Sequence, residues 1–147
     1  MVISFDLRAR RTLFWGLMRA QIITLMIVAI LTTVLADVTA GLFAAWGSAI
    51  SLIAYAWGGY QVWLHPGNIK PDRMAGAAIR GEAGKVLIML ALFGLTFAEV
   101  RLSREFRNVT VLLLGFLLTQ IVGWIQVMRL DRRLGAERDG QDDQTDD

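Results

Sequence analysis

The sequence predicts an all-α integral membrane protein, with four transmembrane helices in two hairpins and both termini cytoplasmic. Three observations lead there. Of the 147 residues, 55% are hydrophobic and the mean hydropathy is +0.50, too apolar for a soluble domain of this size. Four apolar runs, separated by short polar links, are each long enough, or extensible enough, to cross a hydrocarbon core of about 30 Å. The 15 basic residues are also distributed unevenly. Arg8, Arg10, Arg11 and Arg19 precede or open the first span, Lys70, Arg73, Arg80 and Lys85 surround the middle loop, and Arg129, Arg132, Arg133 and Arg138 follow the last. The two outer connections share only Arg101, Arg104 and Arg107, so the positive-inside rule places both termini and the middle loop in the cytoplasm.

Residues 1–16 read as a cytoplasmic, interfacial segment in which Leu7, Leu13, Phe14 and Trp15 mix with arginines. Residues 17–128 form the four-helix membrane domain. The first span runs from about Leu17 to Leu35, with Thr24, Thr32 and Thr33 as its hydroxyls. Val34-Leu35-Ala36 before Asp37 has the small-residue look of a signal cleavage site, but another apolar span follows almost at once, so the segment is read as retained. Asp37 to Ala40 is a tight link without Lys or Arg.

The second span, from about Gly41 to Leu64, carries small residues four apart: Ala44 with Ser48, Gly47 with Ser51, Ala54 with Gly58. Such spacing lets backbones approach closely in lipid, and helix packing is the default reading of Gly47, Ser48 and Ser51 over a pore lined by the two serines. Tyr60 and Trp63 close the span as an aromatic belt, and His65-Pro66-Gly67 ends it; His65 reads as a solvated loop residue. Residues 74–80 favour a helical lead into the third span.

The third span contains the most informative stretch, Arg80-Gly81-Glu82-Ala83-Gly84-Lys85-Val86. Its uninterrupted apolar run, Val86 to Ala98, is about 13 residues or roughly 20 Å of helix, too short to span. Glu99, Arg101, Arg104 and Glu105 block growth at the far end, so the helix grows backwards through Lys85 and Glu82 and draws both charges into the membrane's inner edge. A charge near the bilayer centre costs about 2.5–3.5 kcal/mol on insertion scales, so an embedded charge needs a partner or a function. Three residues apart on one helical face, Glu82 and Lys85 can supply each other's partner. The same geometry fits a self-neutralising pair with a snorkelling lysine and a functional polar motif of Gly81, Glu82 and Lys85.

After the link at 101–108, Val109 to Met128 gives a fourth span whose Gly115, Thr119 and Gly123 recur every four residues beside Gln120 and Gln126, a stripe suited to packing and interhelical hydrogen bonds. Residues 129–147 form a charged cytoplasmic tail, rich in acids and mostly disordered.

Chemistry is restricted by what is missing. The chain has no cysteine and one histidine, so thiolate metal sites and bis-His haem are excluded, and it has neither an HExxH arrangement nor a Gly-rich phosphate loop. Catalytic residues, cofactor and bound metal are therefore all expected to be none. Nucleic acid is not an expected partner either, because the basic residues flank apolar spans without interleaved aromatic platforms.

The run Gly81-Glu82-Ala83-Gly84-Lys85-Val86-Leu87-Ile88-Met89-Leu90, its position opening the third of four spans, the short first hairpin and the Gly-Ser-containing second helix resemble the ATP synthase protein I family, the I chain encoded with bacterial F-type ATP synthases. The resemblance covers most of residues 10–130, and Gly-Glu-x-x-Lys is its sharpest part. The sequence departs from the family's frequent Pro-Asn step in the second helix, carrying Ile53-Ala54-Tyr55 there. The resemblance implies a multi-pass accessory protein of the bacterial cytoplasmic (inner) membrane that assists assembly or stability of the rotor (c) ring and is not an enzyme. Its implied partners are the c subunit and the lipid bilayer, with a second copy of the chain as a further candidate. The alternative it implies is magnesium or calcium transport serving the synthase, the one case in which Glu82 would be a metal ligand. Assembly is preferred, because cation transport wants more than one acid facing a cavity.

Overall fold

A computed structural model describes residues 7–65 and 71–142 as an all-helical chain. Helix α1 spans Leu7–Leu35, α2 Val38–Gly59, α3 Pro71–Glu99 and α4 Phe106–Asp142. A π-helical turn, Tyr60–Leu64, extends α2, and a 3₁₀ turn, Arg101–Arg104, joins α3 to α4. Four helical stretches of 24 to 27 residues, the second running from α2 through the π-helical turn, are long and apolar enough to cross a membrane, about 36–40 Å of helix.

Local chemistry sets the helix ends. Asp37 adopts an extended backbone between α1 and α2, and its Oδ1 accepts a hydrogen bond from the Ala40 N–H at 2.8 Å, capping α2. Pro71 opens α3 where its missing N–H costs nothing. From there α3 runs through Glu82 and Lys85, the direction in which its short apolar run has to grow. At its far end Arg104 donates to the carbonyls of Phe97 and Ala98 at 3.0 and 3.1 Å. The π-helical turn closes with the His65 N–H on the Tyr60 carbonyl, 2.9 Å, while the Tyr60 and His65 rings meet edge to face. His65 is thus half-buried and built into the end of α2, where a solvated loop residue is expected.

Helix α4 does not stop where Arg129 ends its apolar run. It continues to Asp142, so residues 129–142 differ from the expected disordered tail, and residues 143–147 lie outside the described set. Arg, Leu, Ala and Glu dominate Arg129–Arg138, and these are strong helix formers that extend an already nucleated helix.

Helix α2 is the centre, packing against all three other helices, and α1 also meets α4. Its contact with α4 is the most extensive, because small residues remove the steric barrier between backbones. A Cβ on Gly47 would run into the Leu112 carbonyl, and one on Gly115 into the Ala44 carbonyl. Helices α3 and α4 have little backbone contact of their own; they come together where Phe93 and Phe116 stand edge to face, 5.1 Å apart. At that end Arg107 of α4 also reaches Asp37 at 2.8 Å. Hydrogen bonding from the Ala40 amide, and next the Arg107 guanidinium, hold the Asp37 carboxyl below its ordinary 3.8.

Candidate functional site

Glycines let α3 lie close enough to α2 to bury a lysine between them. Gly81 rests against the Gly58 carbonyl, where a Cβ would stand 3.5 Å away, and Gly84 sits on the Trp57 indole, where a Cβ would clash. The Lys85 stem passes beside Gly58, leaving its side chain 10% exposed. The ammonium group is 2.9 Å from each oxygen of the Glu82 carboxylate and 4.6 Å from the centroid of the Tyr55 ring. Charge on Lys85 is thus met on one side by a carboxylate and on another by an aromatic face, an arrangement worth about 2 kcal/mol or more in a desolvated setting for the aromatic contact alone. Glu82 is disposed oppositely: its side chain is 70% exposed on the lateral surface of the bundle.

Tyr55 carries the arrangement into the interior. Its hydroxyl donates to the Gln120 carbonyl at 3.3 Å, and Ser51 Oγ donates to Gln120 Oε1 at 3.0 Å. One turn further, the hydroxyls of Ser48 and Thr119 both donate to the Gly115 carbonyl, at 3.0 and 2.9 Å. Gln21 of α1 reaches the Thr119 carbonyl at 3.4 Å, and Gly123 lies against Gln21 and Tyr55. Ser48, Ser51, Thr119 and Gln21 are fully buried, so the hydroxyls sit in helix–helix contacts and line no passage.

The structure thus places Gly81 and Lys85 at the α2–α3 contact, with Glu82 exposed beside it, and Gly47, Ser48, Ser51, Gly115, Thr119 and Gly123 at the α2–α4 contact, with Tyr55 joining the two. Sequence reading missed Tyr55, Gln21 and Trp57. Tyr55 had a signal, since a phenol inside an apolar span needs a hydrogen-bond partner. Gln21, a carboxamide inside an apolar span, had a comparable one.

Beside Lys85 a cavity of about 490 Å³ separates α3 from α4. Tyr55, Gly58 and Val62 form its floor, Ala78, Glu82 and Lys85 one wall, and Trp124 and Met128 the facing wall. Apart from the charged pair and the Tyr55 hydroxyl these groups are apolar. The described residues contain no group of three or more His, Asp or Glu side chains that could hold a metal ion.

Compared with known proteins, the chain matches the family model for the ATP synthase I chain over residues 16–117, from the first span through the Glu82–Lys85 motif into α4. No curated protein and no solved structure gives a match.

Proposed function

This chain belongs to the ATP synthase I chain family, and from that membership we propose that it assists assembly or stability of the rotor ring of an F-type ATP synthase. It does so from within the bacterial cytoplasmic membrane, both termini inside, by lateral helix contact with the c subunit, and without catalysing a reaction. The observation that carries this reading is the asymmetry of the charged pair: Lys85 is buried in the bundle while Glu82, held by both of its oxygens, is 70% exposed on the lateral surface. A carboxylate facing sideways in a membrane is costly unless a neighbour completes its hydrogen bonding. Lys85 fixes it in one orientation, ready for a donor on a partner helix. Val86, Leu87 and Leu90 are exposed beyond it and extend the contact as an apolar stripe.

Cation transport finds less support. Magnesium and calcium take about six to eight oxygen ligands, and Glu82 already gives both oxygens to an ammonium group.

The test is site-specific photocrosslinking from Val86 and Met89 in native membranes. Capture of the rotor subunit is expected, and the pair Glu82→Gln with Lys85→Ala should lower rotor-ring yield severalfold at normal expression. Capture of its own copies alone, or unchanged ring yield in the double variant, overturns the reading.

A further inference from the structure

The cleft between α3 and α4 borders Glu82 and Lys85, but the rest of its lining is not used by the contact just described. It lies on the half of the bundle that holds Lys85, and its walls come from helices that separate there and close again at Phe93 and Phe116. The result is a slot closed at that end and open at the surface of the bundle. Along α3 it extends from Ala78 to Lys85, about 10 Å. A partner helix lying along the bundle would collide with the Phe93–Phe116 contact, whereas a flexible chain end entering sideways would not. Its volume of about 490 Å³ falls in the range of small-molecule sites, and its lining is mostly apolar.

Charge at the mouth identifies the other end of the occupant. Arg129 follows Met128 of the cleft wall and Arg132 lies about one turn further along α4, both exposed, while Glu82 is the acid of the lining. Basic pockets between membrane helices on the cytoplasmic side suit anionic headgroups.

We propose that the α3–α4 cleft holds one acyl chain of an anionic phospholipid, with its phosphate at the mouth beside Arg129 and Arg132. The site is independent of the rotor-assembly reading and can stand or fall without it.

Native mass spectrometry of the full chain, released from nanodiscs of equal phosphatidylglycerol and phosphatidylcholine with matched chains, tests it. The expected result is one retained phosphatidylglycerol per chain, with Arg129→Gln and Arg132→Gln each lowering the excess over phosphatidylcholine about fivefold. Ala78→Trp fills the cleft from α3 and should abolish retention, while Ile30→Trp, on the exposed face of α1, should leave it intact. If Ala78→Trp does not give a helical, monodisperse protein, Met128→Trp fills the slot from the facing wall. Retention that survives filling, equal retention of both lipids, loss in Ile30→Trp as well, or a dimer that Ala78→Trp converts to monomer would each overturn the proposal, the last by showing a second copy in the cleft.

Discussion

Lys85 shows how one residue acquires a structural meaning that its neighbours in sequence do not supply. On an isolated helix it would pair with Glu82 and snorkel to water; in the bundle it is buried against Tyr55, about 30 residues away in the chain, and the glycines around it set the spacing. The glycines at the helix crossings differ sharply in what they tolerate. Gly115→Val should destabilise the bundle by about 1–3 kcal/mol through overpacking against the Ala44 backbone. Gly94→Ala, where an added Cβ meets nothing within 4 Å, should be neutral or stabilising. Equilibrium unfolding in mixed micelles measures both, and equal effects would remove close backbone approach as the reason for a glycine at 115.

At the scale of elements, the α1–α2 link is both a cap and a tie. Asp37 accepts from the first turn of α2 and pairs with Arg107 at the start of α4, so one carboxylate joins three helices. Its carboxyl is held below 3.8 in the folded protein, chiefly by the Ala40 amide and next by Arg107. The stabilisation it contributes is therefore complete above the ordinary value and is lost as pH falls through the lower, folded one. Unfolding measured from pH 7 downward should show this contribution disappearing below about pH 3.8 in the native chain. Asp37→Ala should be less stable at pH 7 and lack that part of the acid dependence, and Arg107→Gln should lose less than Asp37→Ala because the backbone hydrogen bond is the larger cause. An Arg107→Gln effect as large as that of Asp37→Ala would reverse the ranking.

For the whole molecule, the asymmetry of basic residues predicts an orientation that the absence of cysteine makes easy to read. With Ala36→Cys as the single thiol, a membrane-impermeant maleimide added to intact cells should label the chain, whereas Arg132→Cys should react only after permeabilisation. The reverse pattern would place both termini outside and take Glu82 away from the cytoplasmic edge.

Sequence alone determined what depends on neighbours along the chain. Four apolar runs bounded by Asp37, His65-Pro66-Gly67, the link at 101–108 and Arg129 locate the spans, and three-residue spacing on a helix is enough to pair Glu82 with Lys85. It also marked the small-residue stripes on α2 and α4 as contact faces. Only the tertiary structure decided which faces meet: that α2 lies at the centre, that Tyr55 sits under Lys85, that α3 and α4 part to leave a cleft, and that α4 continues past its arginines. The physical reason is that in lipid an apolar face is as well solvated by acyl chains as by another helix. Helix partners are therefore chosen by backbone approach at Gly47 and Gly115 and by hydrogen bonds such as those to Gln120, which join residues 65 or more positions apart and leave no periodic trace in the sequence.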